Sequence, residues 1–309
     1  MKKYFREISV AIALGILLLV MAIVAPGFYQ PQPLLSLLTR EAPTIVIACG
    51  MALVIIARQI DISVGSQFAV CSVCAGLLAA KGWPLPIVFL SSVFFGVLMG
   101  AVNGWLVAGL KLPSIVVTLA TMVTLRQGLN MARQGEFVNL PDTVQWFGLS
   151  QVGGQWLLVT ASVALLVVMA FAMKLLSAGR FVYAVGTDAE ASRLSGIRPQ
   201  LVTFSTFAFI GALTGLAAMM NIAQSPQVQP LSGTGLELKV IAAVVVGGVA
   251  ISGGRGNLWG VFAGLLLLAC VSPALTHLHV EAYWEKAIQG GIILLAVVTD
   301  GLRTRKQKT

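Results

Sequence analysis

Apolar runs long enough to cross a lipid bilayer recur along this chain, with very little charge between them. A transmembrane helix needs about 20 apolar residues, within a range of roughly 17–25. Ten runs approach that length: Ile8–Ala25, Pro43–Ala57, Ile62–Ala80, Leu85–Leu110, Ser114–Met131, Trp156–Leu176, Leu201–Ala223, Leu236–Ala250, Leu258–Pro273 and Ala287–Thr299. Charged residues make up only 10% of the 309, and mean hydropathy is +0.92. Soluble domains carry about 25% charge, so this chain lacks the polar surface to face water. The expected fold is an all-α membrane protein, a polytopic helical bundle of about ten transmembrane helices in one domain over residues 1–309. The shorter runs are expected to be tilted, broken or re-entrant, which a bilayer tolerates where irregular backbone faces protein or water. The first run follows Lys2, Lys3 and Arg6. It is longer than a signal-peptide core and has no small-residue cleavage site before Pro26, so it is expected to remain as a span.

The charges indicate orientation. With the N-terminus in the cytoplasm and strict alternation, fourteen of the twenty Lys and Arg residues fall on the cytoplasmic side and six on the other. That bias supports an even number of spans with both termini cytoplasmic. It also explains the net charge of +9, with no basic and aromatic surface of the kind that binds nucleic acid. The terminal RTRKQKT is expected to anchor topology beside anionic membrane lipid.

One polar interval between runs carries helix punctuation: Gly179 to Pro199, GRFVYAVGTDAEASRLSGIRP. Thr187 and Glu190 have capping-box spacing, and Asp188 adds negative charge where a helix dipole favours it. Gly196 supplies a left-handed stop, and Pro199 is expected to prevent a restart. These signals predict a helix of about two turns from Asp188 to Ser195, with Gly186 as a hinge and Ala191 and Arg193 within the helix. A capped short helix between spans has to be held against something, so it is expected to dock on a soluble partner.

Other residues are read for chemistry. Asp61, in RQIDISVG, is either a cap for the next helix, paired with Arg58, or a substrate contact together with Ser63. Thr118, Thr121, Thr124 and Gln127 step by three along one helical face. With Asn103 and Asn221, they suit either a water-filled path for a neutral hydroxylated solute or interhelical hydrogen bonding. Gly96, Gly100 and Gly104, Gly211 with Gly215, and Gly256, Gly260 and Gly264 form small-residue faces, read as packing within the chain in preference to a dimer seam. The ISGGRG turn at 251–256 lacks the lysine of a phosphate-binding loop, so any ATP must be handled by another polypeptide. Cys71 and Cys74 are read as packing residues, and His277 and His279 as interfacial ones, which leaves no metal, cofactor or catalytic set. The loop from Ala132 to Gln155 is expected to hold a short surface helix.

Four stretches together resemble a known family: QIDISVG at Gln59–Gly65, LPSIVVTLAT at Leu112–Thr121, the pattern from Gly186 to Ile197, and GGVAISGGRG at Gly247–Gly256. Over nearly its whole length the chain is similar to the membrane permeases of bacterial ABC sugar importers, the ribose-permease type of the branched-chain amino acid/ribose permease superfamily. The resemblance implies a bacterial inner-membrane protein with two permease subunits, identical or paralogous, a cytoplasmic ABC ATPase and a periplasmic sugar-binding protein. It further implies that Gly186, Asp188, Glu190, Ala191 and Gly196 belong to the loop that docks in the ATPase. Gln59, Asp188 and Ala120 stand where the family has glycine, asparagine and glycine, and Arg58-Gln59 leans toward the autoinducer-2 or deoxysugar groups. Two other readings stay open: a stand-alone secondary transporter with Asp61 as its ion site, and a branched-chain amino acid permease.

Overall fold

The computed structural model describes residues 5–277 and, beyond these, residues 284, 287, 288, 290, 291 and 294. Lys2, Lys3, His279, most of the run Ala287–Thr299 and the RTRKQKT tail lie outside the described residues. The described chain forms α1 (Phe5–Val24), α2 (Pro31–Ile56), α3 (Val64–Ala80), α4 (Leu85–Gly104), α5 (Ser114–Arg133), α6 (Gln151–Leu175), α7 (Ser177–Thr187), α8 (Ala189–Leu194), α9 (Pro199–Gln224), α10 (Leu236–Val246) and α11 (Leu258–His277). A π-helical turn, Trp105–Gly109, extends α4. Two-residue strands β1 (Val138–Asn139) and β2 (Gln227–Val228) pair antiparallel and tie the segment after α5 to the one after α9. In place of the surface helix expected between Ala132 and Gln155 there is a single turn over Gln145–Gly148, with Trp146 and Phe147 in the left-handed region.

Six described helices are long and apolar enough to cross a membrane: α2, α4 with its π turn, α5, α6, α9 and α11. The apolar part of α1, Val10–Val24, and α3 are shorter. With 11 residues, α10 rises about 16 Å, half of a hydrocarbon core of roughly 30 Å.

At the centre stands α2, packed against α6, α7, α9, α10 and α11. Every residue from Glu41 to Ala57 is buried, as a helix apolar on all sides requires. This helix is longer than its sequence suggests. The run expected to begin at Pro43 begins at Pro31, and Pro43 lies inside the helix. Arg40 and Glu41, expected in a loop, are therefore helical, and Glu41 is 1% exposed. Lys239 of α10 neutralises it, with Nζ at 2.7 and 2.8 Å from the two carboxylate oxygens. Burying either charge alone would be far more costly than burying the pair.

The glycine faces join helices within the chain, as expected from their spacing. Gly96 lies against Gly211, Gly100 against the Phe207 carbonyl, and Gly215 against the Ser92 carbonyl, which brings α4 and α9 into backbone contact. Ser92 Oγ donates to the Gly215 carbonyl at 2.8 Å across the seam. Gly264 of α11 packs in the same way on Gly247, at the end of α10. Lipid gives apolar helices little reason to prefer one another, so close backbone approach has to supply the specificity.

Gly100→Ala should destabilise the fold by about 1–3 kcal/mol, because a Cβ there meets the fixed Phe207 carbonyl. Gly128→Ala on α5, where a Cβ meets nothing within 4 Å, should be neutral or gain up to about 1 kcal/mol. Thermal unfolding of the two variants in the same detergent checks the contrast.

Candidate functional site

The chain leaves α2 at Ile56 and does not enter α3 until Val64. Arg58, at φ 64°, takes the left-handed conformation that turns the backbone back. The segment that follows has no helix or strand to satisfy it, and neighbouring residues do so instead. Gln59 N–H donates to the Val54 carbonyl at 2.9 Å. Ile60 N–H donates to Ser114 Oγ at 3.3 Å, and Thr118 Oγ1 to the Ile60 carbonyl at 3.4 Å, both from α5.

Asp61 sits in this break, fully buried. Its Oδ1 accepts from Ser63 N–H at 2.9 Å and from Ser63 Oγ at 2.5 Å. Its Oδ2 accepts from Gln67 Nε2 at 3.4 Å. Ser63 Oγ in turn accepts from Gln67 Nε2 at 2.7 Å and Asn103 Nδ2 at 2.9 Å. That hydroxyl thus uses its one proton and both lone pairs. Asn103 Oδ1 accepts from Thr121 Oγ1 at 2.7 Å, which brings α5 into the network. A continuous polar chain therefore runs Asp61–Ser63–Asn103–Thr121 across α3, α4 and α5. Asp61 bonds Ser63 and Gln67, and not Arg58, which is exposed. Asp61 does not cap α3, whose N-cap is Ser63 with no side-chain cap bond; it accepts from Ser63 N–H and so holds the backbone just ahead of the helix.

A second site adjoins the same end of α2. Asp188 is the N-cap of α8, its Oδ1 accepting from the N–H groups of Glu190 at 2.9 Å and Ala191 at 3.0 Å. The capping box read from Thr187 and Glu190 is therefore not formed. Thr187 closes α7 and donates to the Tyr183 carbonyl at 2.8 Å, while Glu190 accepts two bonds from Arg193, the shorter at 2.6 Å. Aspartate reaches its own helix start from one residue later, which leaves the glutamate free to pair along the helix. The Arg193 guanidinium, by hydrogen bond and then by charge, holds the Glu190 carboxyl below its ordinary range. Gly196, at φ +84°, ends α8, with Ile197 N–H donating to the Ser192 carbonyl at 3.0 Å. Pro199 does not block a helix as expected; it opens α9 in the first turn, where its missing N–H costs nothing.

Gly186 is no hinge. It lies inside α7, its α carbon against the Ile56 carbonyl that ends α2. That same carbonyl accepts from Gly254 N–H at 2.8 Å, and Tyr183 OH donates to the Gly256 carbonyl at 2.9 Å. A Cβ on Gly253 would stand 2.7 Å from both Arg58 Cβ and the Gly186 carbonyl. Three segments far apart in sequence thus meet on one carbonyl: the end of α2, the end of α7 and the 251–256 turn.

The model of the family described as branched-chain amino acid transport system / permease component matches residues 34–297. The chain belongs to this family. It is also similar to the autoinducer 2 import system permease protein LsrC of Escherichia coli O9:H4 (strain HS), 32% identical over 303 residues, covering 96% of this chain and 87% of that protein. The protein of the same name from Enterobacter sp. (strain 638) is 32% identical over 297 residues with the same coverage. That of Photorhabdus luminescens is 30% identical over 303 residues, covering 96% of this chain and 90% of the relative. No solved structure gives a significant match. The chain is thus a multi-pass permease of the bacterial inner membrane, a transport subunit and not an enzyme.

The permease brings Asp61, Ser63, Asn103 and Thr121 into one network and leaves three expected members out. Thr124 and Gln127 are exposed on α5, and Asn221 lies on α9, bonded to none of the four. Gln67 joins them unforeseen. Its signal in the sequence was spacing, four residues after Ser63 and so on the same helical face. Glu41, Lys239, Arg126 and Glu237 also acquire roles that only long-range contacts reveal.

Asp61→Asn would set an amide donor against Gln67 Nε2 or Ser63, and should cost the permease about 1–3 kcal/mol. Gln127→Ala should cost nothing measurable. Comparing the two by thermal unfolding in detergent checks that the network, and not polarity on α5 in general, holds the break.

Proposed function

We propose that the permease is the transmembrane subunit of an ATP-driven importer, a single domain over residues 1–309, carrying a monosaccharide or sugar-like solute of the ribose, rhamnose, xylose or autoinducer-2 class. The observation that carries this reading is α8. Five of its six residues are exposed, and Leu194 is 79% exposed at its end. Beside it lies a groove of about 840 Å³ lined by Lys111, Glu190, Arg193 and Arg198. We read this exposed leucine, beside a paired charge on a helix capped at both ends and next to a groove, as a docking feature, and its occupant as a cytoplasmic ABC ATPase. The other partners are a periplasmic sugar-binding protein and a second permease subunit, identical or paralogous.

In this reading both termini are cytoplasmic, about ten helices cross the membrane, and the groove faces the cytoplasm. The basic residues Arg58, Lys111, Arg193, Arg198 and Arg255 then share one face, as the positive-inside bias requires. Closure of the ATPase moves α8 and α7 together. Gly186 transmits that motion to the end of α2 and so to the break that holds Asp61. The path runs beside α5, whose face leaves Thr124 and Gln127 exposed and only Val117 and Thr118 buried. Polar side chains in a lipid-facing position are unfavourable, so that face turns to the second subunit and the solute.

Leu194→Ser with Glu190→Ala should leave membrane insertion unchanged and abolish co-purification of the ATPase together with solute uptake. Full uptake in this variant would overturn the docking role. Uptake that persists under proton and sodium uncouplers but stops on ATP depletion separates the importer from a stand-alone transporter. The family's description favours amino acids as a second reading, and competition of uptake by leucine against ribose decides between the two.

A further inference from the structure

The Asp61 network occupies one flank of the first turns of α3, and another polar cluster adjoins the same turns. Glu237, in the first turn of α10, is 9% exposed. Its Oε1 accepts from Gly235 N–H at 3.3 Å, while its Oε2 is buried without a hydrogen-bond partner. That oxygen lies where a Cβ on Gly65 would be, and the Gly233 carbonyl is 2.5 Å from the same point. Only glycine at 65 lets the carboxylate reach α3. On the same stretch of α3, Gln67 is fully buried with Oε1 unpartnered, its Nε2 already given to Asp61 and Ser63.

Arg126 of α5 stands within electrostatic range of Glu237. Its Nη1 donates to the carbonyls of Leu231 at 3.4 Å and Ser232 at 3.1 Å, and to Thr234 Oγ1 at 2.8 Å. One guanidinium thus fastens the 229–235 segment across the N-terminal ends of α3 and α10.

Buried acceptors without donors cost folding free energy, and folded proteins leave few of them. Here two occur at the first turns of α3, Gln67 Oε1 on the helix itself and Glu237 Oε2 against Gly65, both acceptors. The ligand that complements them brings hydroxyl donors. Asp61 with Glu237 would repel an anion; the Asp61 carboxylate is already taken by Ser63 and Gln67, and Arg126 stands against the remaining charge of Glu237, so no net charge is left over for a second cation. A neutral polyol remains. We propose that Glu237 Oε2 and Gln67 Oε1 form a hydroxyl-accepting subsite for a neutral polyhydroxylated solute. The Arg126-held strap covers it until the solute displaces the strap. This deepens the importer reading and rests on it.

The test uses the permease reconstituted in proteoliposomes with its ATPase and binding protein. The probes are ribose, xylose, rhamnose and their single-deoxy analogues, each at concentrations that saturate the binding protein, so that its own selection is silent. Glu237→Gln keeps shape and removes charge. It should lower the rate ratio of sugar to one deoxy analogue by about tenfold, the worth of one hydrogen bond to a charged acceptor. A purely structural role for Glu237 would lower all rates together and leave that ratio unchanged, which would overturn the subsite. So would a wild-type protein that transports sugar and deoxy analogue alike. Wild-type protein that transports no sugar at all would instead overturn the importer reading, and the subsite with it. Independently, Arg126→Ala should increase labelling of Ser232→Cys by a membrane-impermeant maleimide in a background without the native cysteines. Unchanged labelling would remove the strap from the proposal.

Discussion

A buried backbone that leaves a helix must find its hydrogen bonds elsewhere in the protein, and the break between α2 and α3 is where this permease meets that demand. Residues 57–63 have no ladder of their own. Val54 supplies one acceptor, Ser114 and Thr118 hold the two sides of Ile60, and the Asp61 carboxylate takes the N–H of Ser63. Val54 comes from α2 and Ser114 and Thr118 from α5, helices that the break then holds in place. The Asp61–Ser63–Asn103–Thr121 chain is thus the means by which α3, α4 and α5 are registered against the core helix. Lipid cannot do this, because it offers neither hydrogen bonds nor a preference among apolar faces.

The same end of α2 collects the remaining irregular backbone. Its last carbonyl, Ile56, receives Gly254 N–H and the α carbon of Gly186 at once. Contact of this kind, backbone on backbone with no flexible side chain between, transmits displacement without slack. In the proposed mechanism that stiffness matters more than any single bond. A push on α8 reaches α7 through one capped junction, and α7 touches the segment from which the buried polar network begins.

Buried carboxylates among the described residues are held in different ways: Asp61 by Ser63 and Gln67 alone, the other two near a cation. Glu41 has Lys239, and Glu237 has Arg126 nearby with a helix N-terminus on either side. These pairs link α10 to α2 and to α5, while glycine contacts link α10 to α11 and α4 to α9. The short helix α10 is therefore pinned on three sides although it cannot span the membrane alone.

Much of this was legible in the sequence, because it depends on composition and local spacing. The membrane class follows from apolar runs with little charge between them. The glycine faces follow from a four-residue period, and the exposed helix before Pro199 from its cap and stop residues. The rest depended on contacts between distant segments. The cap at Asp188 is a local choice between two adjacent cap formers, whereas the close approach at Gly186 is not encoded locally, since it depends on what α2 brings near. Gln67, Glu41 and Glu237 resemble ordinary polar interruptions until helices from elsewhere surround them. Periodicity states which face of a helix is special, but not which neighbour it meets. A buried polar group acquires its meaning from that neighbour, and only the assembled bundle supplies it.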